Sequence, residues 1–343
     1  MFTRPVVVLQ AAGNRHIGVG HLSRTATLAQ ALLKTSYWHR VLVIWEAPPE
    51  LVEHFAPKGC EVLGVEDRET ALDWRSLLAP PGTYAVLITD LMDLEDKDFQ
   101  AARDEGYRLL VHLNDSASGR FSADMIVDED SSKSTADLPA SFEKAALIGS
   151  PYRVIRESVR DLRPEQPWQD DRLRCILVTL GGADPANLTL NFLQRLRPLL
   201  DEADLEVTAI AGPAFHPNHR YHLQNLAQKE PRIRLLNAPS SLAELIVEHD
   251  LTITLGGITS YEVMCLGRPC GAIAWENMAP YVEPLAALDL LENLGAVEQA
   301  ADTLRSRLMD PARLSALASK GWQTIDGQGG DRIVQQILQR VQS

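Results

Sequence analysis

Cysteine is scarce in this 343-residue chain: Cys60, Cys175, Cys265 and Cys270 are the only four, and no two form a C-x-x-C pair. That excludes a disulfide framework or a thiolate zinc site, and the apolar segments around them predict buried free thiols in a reducing compartment. Basic residues are short as well. Lys plus Arg number 33 against 46 Asp plus Glu, a net charge of −13. The chain therefore lacks the cationic surface that binds nucleic-acid phosphates and a polybasic patch for anionic lipid. No apolar run approaches the roughly 18–20 residues that span a bilayer. Val6–Leu9, after Met1-Phe-Thr-Arg-Pro, is too short for the apolar region of a secretory leader. Two nucleotide signatures are also missing: no G-K-[ST] occurs, and the first glycine-rich loop has no glycine at position 23 to complete G-x-G-x-x-G. These absences predict a cytoplasmic protein with a small-molecule ligand and no nucleic acid or membrane insertion; a monomer or weak dimer is expected.

What is present is a rhythm. Short β-branched runs alternate with helical patterns along the chain, the mark of parallel sheets covered by helices. In the first half the strands are expected at Pro5–Gln10, Val41–Trp45, Glu61–Gly64, Ala85–Thr89, Arg108–His112, Met125–Val127 and Ala146–Ile148. Their nearly continuous apolar character fits strands covered on both faces. Leu22, Ala26, Leu28, Ala29, Leu32 and Leu33 trace one stripe of a helix over His21–Thr35. The polar, proline-rich segment Arg156–Asp171 reads as a linker. The pattern then restarts, with strands at Leu173–Leu180, Glu206–Ala211, Arg232–Leu236, Leu251–Leu255 and Cys270–Ala274. Helices are expected at Asn187–Leu200, Ser240–Glu248 and Thr259–Gly267, and a last one near Gly330–Arg340. The resulting division is 1–155, 172–325, and a terminal helix in 326–343. Ligands of open α/β sheets bind at the C-terminal strand ends, so two such edges facing each other predict an interdomain site.

The loops carry the chemistry. The first strand runs into Ala11-Ala-Gly-Asn-Arg-His-Ile-Gly-Val-Gly-His21, where Gly18 and Gly20 allow close backbone approach to a ligand. His21 falls at a helix mouth, which disfavours imidazolium and predicts a neutral, base-competent ring. Asp90 ends a strand at the same edge, as a functional carboxylate or a helix cap. In the second half, Gly181-Gly182 and Gly256-Gly257 each end a strand before a helix, a setting that fits a diphosphate. Thr259 and Ser260 add hydroxyls there, and Glu262, inside the first turn, suits a ribose diol. Asn277 follows the last long strand, as a cleft residue or a turn asparagine. His216, His219 and His222 have helix spacing for a metal, but no carboxylate or cysteine set accompanies them, so solvated surface is expected. Asp128-Glu129-Asp130 reads as a solvated acidic loop.

With these residues in view, the chain resembles the PseG/SpsG family, soluble relatives of MurG-type glycosyltransferases. Five strings carry the resemblance, in order: Ile17-Gly-Val-Gly-His-Leu-Ser-Arg, Leu147-Ile-Gly-Ser-Pro-Tyr-Arg-Val-Ile-Arg-Glu, Leu180-Gly-Gly-Ala-Asp-Pro-Ala-Asn-Leu-Thr, Gly256-Gly-Ile-Thr-Ser-Tyr-Glu-Val-Met-Cys-Leu-Gly and Ile325-Asp-Gly-Gln-Gly-Gly-Asp-Arg-Ile. The resemblance implies a GT-B type α/β fold: two Rossmann-like parallel-sheet domains facing a cleft, with the C-terminal helix crossing back to the first. It further implies hydrolysis of a nucleotide-linked sugar. Water activated by His21 attacks the anomeric carbon with inversion and releases UDP, with no metal or other cofactor. Gly181, Gly182, Gly256, Gly257, Thr259, Ser260 and Glu262 would hold the nucleotide. Gly18, Gly20, Asp90 and Asn277 would lie near the sugar. Two segments depart from the family pattern: Gln10-Ala-Ala stands in place of Arg-x-Asp, and Met278 follows Asn277 in place of glutamine. Alternatives are an inverting glycosyltransferase and a non-catalytic nucleotide-sugar binding protein.

Overall fold

The computed structural model describes residues 5–14, 17–77, 85–113, 119–134, 136, 138, 142 and 146–342. The chain divides into two compact units, Met1–Arg156 with Gly327–Ser343, and Glu157–Asp326.

The first unit alternates strand and helix: β1 Val6–Ala12, α1 Gly20–Lys34, β2 Arg40–Glu46, α2 Pro49–Phe55, β3 Glu61–Val65, α3 Arg68–Leu77, β4 Ala85–Asp90, α4 Asp96–Asp104, β5 Tyr107–Leu113, β6 Met125–Asp128 and β7 Ala146–Ile148. The strands form one sheet in the order β3-β2-β1-β4-β5-β6-β7, every pairing parallel. Side chains alternate across the pleat and feed two cores, as a sheet covered on both faces requires. Val7, Leu9 and Ala11 pack with Leu22, Leu28 and Leu32 of α1. Val6 and Val8 pack on the other face with Ala71 of α3 and Phe99 of α4.

The second unit contains α5 Glu157–Arg160, β8 Cys175–Val178, α6 Leu188–Ala203, β9 Glu206–Ala211, α7 Pro217–Lys229, β10 Ile233–Asn237, α8 Leu242–Glu248, β11 Leu251–Thr254, α9 Ile258–Cys265, β12 Cys270–Ala272, α10 Ala279–Ala287, β13 Glu292–Asn293, α11 Val297–Arg307 and α12 Pro311–Thr324. Its sheet, β10-β9-β8-β11-β12-β13, is likewise parallel throughout. The last helix, α13 Gly329–Gln342, returns to the first unit, where Ile333, Val334 and Ile337 join the core under α1. A Cβ at Gly329 would lie 2.2 Å from the Arg153 carbonyl oxygen, so only glycine permits this close seat. Two parallel-sheet, Rossmann-like units with a last helix returning to the first are what the resemblance to GT-B proteins implies.

The segment read as a linker differs from that expectation. Arg163 donates to the carbonyls of Cys265 (2.6 Å), Ile325 (2.7 Å) and Trp322 (2.7 Å), and its guanidinium lies over the Trp322 ring. Trp168 is buried, and its Nε1 donates to Asp250. Proline and polar side chains break regular structure without requiring exposure; here a planar guanidinium meets three carbonyls at the ends of helices. Cys265 and Cys270 are buried, whereas Cys60 and Cys175 are only half-buried; all four are free. Among the described residues no helix is long and apolar enough to cross a membrane.

Candidate functional site

In the first unit, β1 and β4 run side by side with Ala11 opposite Asp90. The turn leaving β1 thus delivers the start of α1 over the end of β4. A Cβ at Gly13 would meet Leu22 at 2.5 Å, so the helix packs tightly on the strand it follows. Gly18 closes the intervening turn through two backbone hydrogen bonds with Asn14. Gly20 is the first residue of α1, whose N-terminus no side chain caps. His21 comes next, and its Nδ1 lies 2.8 Å from Asp90 Oδ1.

Asp90 was expected on the sugar side of the site. Its side chain instead has no exposed surface and faces His21 and Arg24. Burial by itself would raise its carboxyl, but the Arg24 charge and the hydrogen bonds from His21 and Arg24 outweigh that and hold it at about 2. An ionised carboxylate only accepts, so His21 Nδ1–H donates to it. In the neutral ring, Nε2 then carries the lone pair, which is the arrangement of an oriented general base.

The carboxylate is shared. Arg24 Nε donates to Asp90 Oδ2 at 2.7 Å, and Arg24 Nη2 donates to Oδ1. Arg24 Nη1 reaches Glu129 Oε2 at 3.1 Å. The expectation of a solvated acidic loop at Asp128–Asp130 is therefore overturned for Asp128 and Glu129, both of which are buried. Glu129 Oε2 also pairs with Arg153 at 3.2 Å, and Oε1 accepts the Val154 N–H at 3.0 Å. Residues 105 positions apart meet here, so only the strand-end position of Glu129 hinted at it in the sequence. Gln10, which departs from the arginine of the pattern the chain resembles, is buried on the opposite face of the sheet. Its Nε2 donates to Glu46, which also accepts from Arg68, and its Oε1 has no hydrogen-bond partner among the described residues.

In the second unit, β8 and β11 are neighbours, and both end in a glycine pair at the same sheet edge. The two turns differ. After Gly181-Gly182, the buried Asp184 accepts the N–H groups of Leu188 (2.7 Å) and Thr189 (2.9 Å). The start of α6 is therefore occupied by a carboxylate of the protein, and only the glycine backbone is left to face a ligand. After Gly256-Gly257, no side chain caps α9 and its first turn carries no acid, which leaves that helix start fit for an anion. Gly257 borders open space except for the Met278 methyl group. Thr259 is half-buried at the helix start.

Ser260 does not offer its hydroxyl there. It is buried and hydrogen-bonded to Thr254 Oγ1 at 2.6 Å, and the same oxygen accepts the Gly256 N–H at 3.2 Å. The pair thus braces the glycine turn. Glu262 is the fifth residue of α9, past the first turn, and is buried. Asn277 lies in the single 3-10 turn Glu276–Met278 after β12; its side chain is outside the described residues. His216 Nδ1 accepts the Asn218 N–H and caps α7, and among the described residues no three His, Cys, Asp or Glu are grouped as metal ligands.

No family model matches the chain. An uncharacterized protein of Methanocaldococcus jannaschii is 24% identical over 265 residues, 75% of this chain and 53% of that protein. The spore coat polysaccharide biosynthesis protein SpsG of Bacillus subtilis is 29% identical over 192 residues, 54% of this chain and 56% of its own length. The chain spans about half the length of the curated relatives it matches. Among solved structures, MurG of Acinetobacter baumannii superposes with a TM-score of 0.67 at 17% identity, covering 98% of this chain and 99% of that one. UDP-GlcNAc 2-epimerase of Neisseria meningitidis, bound to UDP-GlcNAc, gives 0.64 at 13%, covering 97% and 100%. The S. aureus MnaA–UDP complex gives 0.68 at 12%, covering 98% and 97%. At such identities the likeness is one of fold.

Proposed function

We propose that this protein is an enzyme acting on a UDP-linked sugar, and that it hydrolyses the sugar from UDP. The observation that carries this is His21, hydrogen-bonded to the ionised Asp90 so that Nε2 is the basic nitrogen. In the reaction, Nε2 takes a proton from water and the water oxygen attacks the anomeric carbon. The bond from that carbon to the phosphate oxygen breaks with inversion, and UDP leaves with the bonding electrons. The uncapped start of α9, with Gly256, Gly257 and Thr259, holds the diphosphate. Gly181 and Gly182 line the neighbouring turn, Glu262 meets the ribose, and Asn277 lies toward the sugar. Gly18 and Gly20 bring the α1 backbone to the sugar. Ile17, Val19 and Met92, exposed in the segments flanking His21 and Asp90, offer apolar surface to the methyl groups of an acetamido or deoxy sugar.

Solved structures of similar fold bind UDP or UDP-GlcNAc, and SpsG is named for polysaccharide biosynthesis; both support the substrate class. The test is chromatography of purified protein with a panel of UDP-, CMP-, GDP- and dTDP-linked sugars, without acceptor or added metal. Release of UDP and free sugar from a UDP-linked member is the expected result. UDP binding with release only when an acceptor hydroxyl is supplied would replace the hydrolase with a transferase. An epimeric UDP-sugar would replace it with an epimerase.

A further inference from the structure

Arg24 and Glu129 take no part in the reaction above, yet both are enclosed and tied to it. We propose that they are positioning residues for His21: Arg24 shares the Asp90 carboxylate with the imidazole, and Glu129 holds Arg24 there, so that Asp90 orients the ring without drawing a second proton onto it. The proposal rests on the reading of His21 as the base.

Charge and geometry carry it. Asp90 and Glu129 bear two negative charges, Arg24 and Arg153 two positive ones, and the four are joined by hydrogen bonds or ion pairs. With Arg24 bound to both of its oxygens, the Asp90 carboxylate already has a cationic partner when His21 is neutral. Among the described residues, the charged groups facing the His21 ring are Asp90 from the end of β4 and Arg24 from the next turn of α1. Behind them stand Glu129, just past β6, and Arg153. Arg24 Nη2 lies 3.4 Å from His21 Nδ1, and a guanidinium keeps its charge at any pH the protein meets. A buried carboxylate paired with histidine alone would instead favour imidazolium. Glu129 is immobilised on both oxygens, Oε1 by the Val154 N–H and Oε2 by Arg24 and Arg153. It therefore fixes where the Arg24 charge sits and offsets part of it.

The two residues act on His21 with opposite sign. Removing Arg24 leaves Asp90 to His21 alone, so His21 titrates at higher pH, by about one unit or more for a charge at this range. Removing the Glu129 charge leaves the cations in excess, so His21 titrates at lower pH, by a smaller amount. The experiment is an NMR titration of the His21 ring in the full chain, with its resonance identified by its loss in His21→Gln. Wild type, Arg24→Gln, Arg24→Lys and Glu129→Gln are compared, with circular dichroism to check folding. Expected are a rise in Arg24→Gln, a return toward wild type in Arg24→Lys, and a fall in Glu129→Gln, with the acid limb of the kcat pH profile moving alongside. Should Arg24→Gln prove unfolded, the fall expected in Glu129→Gln still decides the sign. Shifts of one common direction, or none, overturn the proposal, because loosened packing alone moves both variants toward free histidine. The titration needs no substrate. An unchanged rate in His21→Ala would remove the base reading while leaving the measured coupling between Arg24, Glu129 and His21 intact.

Discussion

At the scale of single residues, the two nitrogens of one ring have different neighbours: His21 Nδ1 is committed to Asp90, and the proposed mechanism uses the other, Nε2, on water. His21→Ala should lower kcat by about 10²- to 10⁴-fold, the usual contribution of a general base, with KM nearly unchanged, as steady-state kinetics on the hydrolysed UDP-sugar would show. Asp90 also fixes a pH dependence of stability. Its folded value of about 2 lies below the ordinary 3.8, so its contribution is complete above the unfolded value and is lost as pH falls from about 4 toward 2. Urea titrations at pH 6 and pH 3 should show that loss in wild type. In an Asp90→Asn variant the same pH step should cost less, and an equal loss in both would show that Asp90 is not a source of the acid sensitivity.

At the scale of elements, two turns that read alike do different work. Both second-unit glycine pairs precede a helix, yet Asp184 closes the α6 start while the α9 start has no capping side chain. Asp184→Ala should therefore cost roughly 0.5–2 kcal/mol of stability, as lost caps do, with UDP affinity in calorimetry close to wild type. Gly256→Ala should do the reverse. Gly256 has φ +83°, and a Cβ there would lie 2.6 Å from Val282 Cγ2, so strain of about 1–2 kcal/mol falls on the turn proposed to hold the diphosphate, and UDP affinity should drop about tenfold or more. Equal affinities for the two variants would move the phosphate site elsewhere. Strands β1 to β12 were legible from their apolar runs, with observed ends within a few residues of those expected, whereas the two-residue β13, Glu292–Asn293, has no apolar run and was not. His21 and the glycine turns stood out as candidates because they follow strand ends, where ligands of such sheets meet backbone. Glu129 was not legible, since Arg24, Arg153 and Val154 meet it only through the fold. Nor was the division of labour between Asp184 and the α9 start, because a carboxylate two residues past a glycine pair has the same sequence whether it caps a helix or faces a ligand.

At the scale of the whole molecule, each unit owns a core, and the chain completes the first unit last. Ile333, Val334 and Ile337 of α13 are almost fully buried in it. At about 1.5–3 kcal/mol per buried aliphatic side chain, their loss is of the order of a domain's entire stability of about 5–15 kcal/mol. A chain ending at Asp326 should lose the calorimetric transition of the first unit and keep that of the second, with limited proteolysis cutting within 1–156; two retained transitions would show that α13 is dispensable. The central claim is that water, activated by His21, attacks the sugar carbon. Its most direct test is turnover of the UDP-sugar in ¹⁸O-labelled water with mass analysis of both products. The account predicts one ¹⁸O in the released sugar and none in UDP. Label in the UDP phosphate, or an epimeric UDP-sugar with no release, would contradict it.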